Sequence, residues 1–382
     1  MSATRPTGHS PYMEWAKTRS QARFNLATSG ILNVPLAEFP LEVEALELTT
    51  SAVGYGYEPL QERLARHTGA PADCIVAATG TSMANQLAMA AVLTRGDEIL
   101  LEEPAYGPLR DVADYRGVST KRIRRRFENG FALDPAEVAA ALSEKTRLIV
   151  LTNMHNPSGA LLPTDTLRAL GELARRVGAR VLVDEVYLEM LFETPTPSSF
   201  RLGEEFIVTS SLTKAYGLSG LRCGWIIAPP ELARRIWRLN DLFGSVAAHT
   251  AERMSVMAFD HLENFRARAR ALLAANRPLL DAFLEAHPEL ECFRPPAGTV
   301  VFPRLRDGDT EIFVELLRAN YEISVVPGKF FEMPEHFRIG IGGETASLRA
   351  SPARFSDALD KYARRSAVSL FNPPPSRYRA PR

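Results

Sequence analysis

Short apolar runs alternate with amphipathic helical stretches through the middle of this chain, and that alternation admits few folds. Leu148–Thr152 (LIVLT) is a continuous apolar run, as expected of a strand covered by helices on both faces. Strand-like Cys74–Ala78 precedes a helical pattern at Thr81–Thr94 that stops before Gly96, and Glu98–Leu101 reads as the next strand. Asp165–Val177 follows as an amphipathic helix ended by Gly178, then Arg180–Asp184 (RVLVD) and Phe206–Ser211 (FIVTSS) as further strands. Strands spaced by such helices are βαβ units. The predicted fold class is α/β, a large domain with a mostly parallel sheet flanked by helices.

After about Pro229 the pattern changes. Glu231–Phe243 and a long stretch from about Ala251 to Ala286 are helical, and Glu291–Leu305 is β-like. A helix at Thr310–Asn320, strands at Ile323–Val326 and His336–Ile341, and a closing helix at Pro352–Arg365 complete a smaller α+β domain. A chain of 382 residues has room for about two domains. The expected division is an N-terminal segment, 1–45, packing with the small domain; a large domain, 46–275; a small C-terminal domain, 276–370; and a Pro- and Arg-rich tail, 371–382, that reads as disordered.

Lys+Arg and Asp+Glu both number 45, so no whole-chain charge argues for nucleic acid or membrane as a partner. Cys74, Cys223 and Cys292 are odd in number and far apart, which suggests buried thiols rather than disulfides or a metal site. Met1–Ser20 is polar, without the apolar core of a secretory leader. These features predict a soluble, cytoplasmic protein. Only six lysines occur: Lys17, Lys121, Lys145, Lys214, Lys329 and Lys361. Chemistry that needs an amine nucleophile therefore has few candidates.

Lys214 stands out among them. The strand Phe206–Ser211 leads almost directly into it, and a Gly-punctuated turn follows in SSLTKAYGLSGLRCGW, residues 210–225. A lysine at the end of a buried strand is desolvated, which lowers its pKa and frees the amine for Schiff-base formation. Ser211, Thr213 and Arg222 are close enough in sequence to hold a phosphate, the arginine through a bidentate contact. Ser211-x-x-Lys214 taken alone also matches the Ser-x-x-Lys of serine-nucleophile enzymes, but neither Ser-Asp-Asn nor Lys-Thr-Gly follows it.

Three other strand ends point the same way. VLVDEVY, 181–187, closes an apolar strand with Asp184 and sets Tyr187 three residues on. A carboxylate there faces the crevice in which α/β ligands bind, although it also suits the capping of a turn. Asn153–Gly159 (NMHNPSG) makes a tight turn after Thr152 and offers Asn156 to the same cavity. Gly80-Thr81-Ser82 opens a helix whose free amides and dipole suit an anion.

Together the four motifs resemble the class I/II aminotransferases of pyridoxal 5′-phosphate (PLP) fold type I, over nearly the whole chain. Residues 210–225 carry the most specific match, a Ser-x-x-Lys…Gly-x-Arg-x-Gly pattern. The resemblance implies PLP as cofactor, with Lys214 as the Schiff-base lysine. It assigns Ser211 and Arg222 to the phosphate with the amides of Thr81 and Ser82, beside Gly80. Asp184 would pair with the pyridine nitrogen, Tyr187 and Asn156 would bond the ring 3-oxygen, and Tyr106 would stack on the ring. Arg338, in FRIG, would grip the substrate α-carboxylate, with Ser29 or Gly30 nearby. Catalysis falls to Lys214, Asp184 and Tyr187, and no metal is implied. The partners are an amino acid, a 2-oxo acid and a second copy of the chain in a homodimer.

The chain departs from this pattern at Ser51–Gln61. Counting back from Gly56 puts Ser51 where the family has a tyrosine reaching the partner subunit's phosphate, and Gln61 replaces an arginine. Lys121–Arg126 (KRIRRR) is the one strong charge run. It reads as a solvated edge strand or surface loop, or as an attractor for an anionic substrate. The expected activity is amino-group transfer between an amino acid and a 2-oxo acid. Relatives with the same motifs act instead as lyases, cyclases or oxidases at Cβ or Cγ, and a non-catalytic PLP-binding regulatory module is a further alternative.

Overall fold

The computed structural model describes residues 8–49 and 54–371; Ser51 and 372–382, nearly all of the expected tail, lie outside the described residues. Seven strands form the main sheet: β1 Ile75–Thr79, β2 Glu98–Glu103, β3 Ser119–Arg124, β4 Thr146–Thr152, β5 Arg180–Asp184, β6 Phe206–Ser211 and β7 Cys223–Ile227. Their spatial order is β1-β7-β6-β5-β4-β2-β3. Strands β2 to β6 pair in parallel, while β7 runs antiparallel to both β1 and β6. Parallel neighbours need crossovers, supplied here by helices such as Gly107–Arg116 between β2 and β3 and Thr164–Arg176 between β4 and β5. The mostly parallel α/β sheet expected from the apolar runs is present.

Register decides what these strands deliver. Thr152 lies opposite Asp184, and Asp184 opposite Thr209. Ser211 faces Gly224, and Thr79 faces Cys223. The ends of β1, β4, β5 and β6 therefore converge on one edge of the sheet. Ala84, Leu87, Leu101 and Val150 fill one face, and Leu100, Ile149, Val183 and Phe206 fill the other. A separate apolar cluster joins Phe24 and Leu26 to Phe313, Phe337 and Phe355. Phe24–Asn25 also pairs in parallel with Ile323–Ser324.

Local differences from the sequence reading have physical causes. The long helical stretch divides at His261 into His249–Asp260 and Leu262–Ala286. The closing helix begins at Thr345, not Pro352, and holds that proline inside. A proline there leaves the carbonyl four residues back without its amide partner. Ser351 Oγ donates to that carbonyl, Leu348 O, at 3.1 Å. The basic run supplies edge strand β3, where Lys121 pairs with Glu98 and Arg126 with Glu137. Arg125, by contrast, is buried.

His336 is fully buried and stacks on Phe302, ring centroids 4.7 Å apart. Burial, with Arg304 nearby, holds its pKa down to about 3. An unfolded histidine titrates near 6.5, so below that pH the unfolded chain binds the extra proton and stability falls. Between pH 7 and pH 5 this single residue should cost about 2 kcal/mol. Calorimetry should show a shallower acid dependence of Tm for His336→Phe than for the wild type.

Candidate active site

The N-terminus of helix Gly80–Val92 follows β1 without a linker. Gly80 takes φ +75°, and a Cβ there would lie 2.2 Å from Arg222 Nη2. Gly224 packs as closely, since its Cβ would fall 2.5 Å from the Gly80 carbonyl carbon. Only residues without side chains let the guanidinium lie against the helix start. Arg222 donates to Thr79 O and Ser219 O, both at 3.3 Å. Thr81 Oγ1 donates to Ser211 Oγ at 2.8 Å, and Ser82 lines the same cavity. Free amides, hydroxyls and a guanidinium on one spot make a cradle for a phosphate.

Asp184 ends β5 and is buried. Asn85 Nδ2 donates to its Oδ2 at 2.8 Å, and the Val186 amide donates to Oδ1 at 3.1 Å. Thr209 Oγ1 donates to Asn85 Oδ1 at 2.6 Å, which fixes the amide's orientation. Burial raises the Asp184 pKa to about 6 despite these bonds. The carboxylate is thus set for a cationic partner that would favour its charged form.

Lys214 opens onto the cavity that Asp184 lines. Enclosure lowers its amine pKa to about 8, helped by Arg338 and Arg222 and opposed by Asp184. Its Nζ donates to Ser29 Oγ at 3.1 Å. Ser29 also reaches the hydroxyl of buried Tyr187, whose pKa burial pushes up to about 12. Gly30 lies against the lysine stem, 3.2 Å from Cδ for a Cβ placed there, and Ile31 N donates to Lys214 O at 2.9 Å.

Arg338 is fully buried. It donates to Asn156 Oδ1 at 2.8 Å, and to the Tyr12 hydroxyl and Ala27 O, each at 3.1 Å. Its Nε has no partner, and no carboxylate pairs with it among the described residues. A buried cation held only by neutral groups is poorly compensated. It is set for an anion. Tyr106 meets Tyr12 edge-on at 5.5 Å.

The cavity has a volume of about 200 Å³. Thr81, Ser82, Tyr106, Asn156, Asp184, Tyr187, Ser211, Lys214 and Arg222 all line it, with Gly80, Gly30 and Arg338 packed directly behind. A larger cavity, about 630 Å³, opens between His67, Glu189, Phe192 and Arg270, but contains no lysine. Asn85, Tyr12, Met13 and Thr152 also belong to the smaller site and escaped the sequence reading. Asn85 was findable, four residues after Thr81 on the same helical face. Tyr12 carries no comparable signal. Tyr55 bonds Asp241 and Tyr57 meets His249 edge-on; neither lines the cavity.

Residues 45–351 match the family model for aminotransferase class I and II, and the chain belongs to that family. It is 29% identical to a capreomycidine synthase of Streptomyces vinaceus over 93% of this chain and 94% of that protein. It is 30% identical to the arginine–pyruvate transaminase AruH of Pseudomonas aeruginosa, over 78% of each chain. The solved structure of a PLP-dependent aminotransferase from Streptococcus suis superposes with a TM-score of 0.86 at 25% identity, over 95% of this chain and 99% of that one. The protein is a PLP-dependent aminotransferase.

The residues present fit that cofactor. The glycine-floored cradle suits its phosphate, buried Asp184 its ring nitrogen, and Lys214 its aldehyde. Gly80→Ala would push the Arg222 guanidinium off the helix start. Absorbance titration of the variant with PLP should show affinity weakened about tenfold or more, the scale of one lost charge-assisted contact.

Proposed function

We propose that Lys214 holds the cofactor's aldehyde carbon, and that its amine, once displaced by the substrate's amino group, is the general base of the transfer. The supporting observation is that Lys214 and Asp184 open onto one cavity beside Arg338, a buried guanidinium without a carboxylate partner among the described residues. When bound, PLP supplies an aldehyde that condenses with amines and a ring that takes up an electron pair. Asp184 holds a proton on the ring nitrogen. Tyr187 and Asn156 bond the ring 3-oxygen, and Tyr106 covers the ring face. Gly80, Thr81, Ser82, Ser211 and Arg222 hold the phosphate.

Arg338 grips the substrate's α-carboxylate, with Gly30 alongside. That grip fixes the Cα–H bond perpendicular to the ring. Lys214 would take the Cα proton, the bound group serving as the electron sink for the pair left behind. An amine near pKa 8 suits that proton transfer close to neutral pH. Overall, an amino acid and a 2-oxo acid would exchange their amino and oxo groups, with the bound group carrying the amino group between them.

A second reading, cyclisation or elimination at Cβ or Cγ, is favoured by the capreomycidine synthase match, which spans more of the chain than the transaminase match. L-arginine is the first donor to test, after the transaminase relative's substrate. We also propose a cytoplasmic homodimer whose two apolar cores mark domains divided near residue 275. Val43, Leu48, Tyr55, Leu242 and Val246 are exposed. Bonds from Tyr55 to Asp241 and from Thr250 to Glu47 tie these segments together, as suits a face covered by a second copy.

Lys214→Ala should abolish turnover and the long-wavelength absorbance of bound PLP; a variant transaminating at the wild-type rate overturns the assignment. With wild-type enzyme, L-arginine alone should convert the bound cofactor stoichiometrically to its amine form, and pyruvate should restore it. Product release with the cofactor remaining in its aldehyde form would instead support the cyclase reading. Light scattering should give twice the chain mass, shifting towards one chain mass in Leu242→Asp/Val246→Asp.

A further inference from the structure

The basic run Lys121–Arg126 contains a residue unlike its neighbours. Lys121 and Arg126 lie at the surface, whereas Arg125 is fully buried against a buried carboxylate, Glu102, with Nη1 to Oε2 at 2.7 Å. Arg125 Nε also donates to Phe131 O at 2.6 Å, but its Nη2 has no partner. Glu102 precedes the Glu103–Pro104–Ala105–Tyr106 turn, and it lines no part of the active cavity. Burying such a pair brings little net stability, and a hydrophobic replacement of the same shape often does as well. Its presence calls for a further reason.

The second oxygen of Glu102 supplies one. Oε1 accepts two bonds from Thr152 at the end of β4, from the amide at 2.7 Å and the hydroxyl at 2.6 Å. With its proton committed to Glu102, Thr152 Oγ1 offers a lone pair, which the Asn156 amide takes at 3.0 Å. Asn156 Oδ1 in turn accepts from Arg338 Nη1 at 2.8 Å. Five residues thus form one buried hydrogen-bonded line from Arg125 to Arg338, which passes through Asn156 by way of its backbone amide and its side-chain oxygen.

His155 flanks the line without joining it. Its ring nitrogens bond Ser158 Oγ at 2.6 Å and Pro104 O at 2.9 Å. Burial and the nearby Arg125 hold it neutral, so it does not draw Glu102 away from Thr152.

We infer that Glu102, anchored by Arg125, is a positioning residue: through Thr152 it fixes the Asn156 turn, and with it the angle at which Arg338 presents its guanidinium to the substrate carboxylate. A lone Thr152 hydroxyl could rotate and give its proton elsewhere. The ionised Glu102 allows it only one direction, because a carboxylate accepts and cannot donate. Arg125 favours that ionised state inside the protein, where burial alone drives the Glu102 pKa up. This inference rests on the assignment of Arg338 and Asn156 given above.

The test compares wild type, Thr152→Val, Thr152→Ser and Glu102→Gln as PLP-loaded enzymes. Two quantities are read: the apparent KM for L-arginine with pyruvate, and the pH midpoint of the bound cofactor's visible absorbance without substrate. Thr152→Val should raise KM about tenfold, the scale expected when a positioning contact is lost, and should shift the midpoint because Asn156 no longer holds the 3-oxygen. Thr152→Ser, which keeps the hydroxyl, should restore both. Glu102→Gln should move both quantities in the same direction as Thr152→Val, although Glu102 does not itself line the cavity.

A folded Thr152→Val enzyme matching wild type in both readouts, or a Thr152→Ser enzyme as impaired as the valine variant, overturns the inference. Should Glu102→Gln fail to fold, the Thr152 pair decides alone. A wild-type enzyme whose absorbance ignores amino acids altogether would overturn the functional assignment itself, which is a different result from a responsive wild type with an indifferent Thr152→Val.

Discussion

A carboxylate at the end of a central strand is costly to bury, and the cost here is offset in part by two donors, the Asn85 side-chain amide and the Val186 backbone amide. Asn85 holds Asp184 from one side and is itself oriented by Thr209; a hydrogen bond to a charged group of this kind contributes about 1.5–3 kcal/mol. Because Asn85 sits one helical turn beyond Thr81, the helix that offers its N-terminus to a phosphate also steadies the carboxylate meant for a ring nitrogen. Thr81 and the donor to Asp184 are therefore set at a fixed spacing along one helix. Gly80 and Gly224 bring the helix close enough to the sheet for the spacing to hold.

The other half of the site is built around a different shortage. Arg338 has three neutral partners and no counter-charge among the described residues. Lys214, lowered to about 8, feels that cation as well as Arg222. An anionic substrate entering the cavity would relieve Arg338 and raise the basicity of the amine beside it. Carboxylate recognition and the proton-accepting power of Lys214 are thereby linked through Coulomb interaction alone.

Much of this was legible beforehand because strand ends announce themselves. LIVLT and RVLVD are apolar runs that stop at a polar residue, and parallel strands bring such stops to one edge. The cavity-facing positions 81, 156, 184, 211, 214 and 222 followed from that rule together with the family resemblance. What stayed hidden depended on packing. β7 was masked because its residues also carry the Gly-x-Arg-x-Gly pattern, whereas the edge strand expected in the basic run is present as β3. Nothing local distinguishes Arg125 from Arg124; only the fold decides which of them meets Glu102. Tyr12 was invisible for a related reason, since its partner Arg338 is 326 residues away.

That separation has a consequence for how the protein is made. The Arg222 and Gly80 contact, buried Asp184 and Lys214 all come from residues 79–224, with the rest of the chain still to follow. The buried Arg338 guanidinium arrives only with β-strand Phe337–Gly340, and it is seated by a tyrosine near the other terminus. Closing so long a loop is entropically slow. The Arg338–Tyr12 contact therefore forms only once both ends of the chain are present.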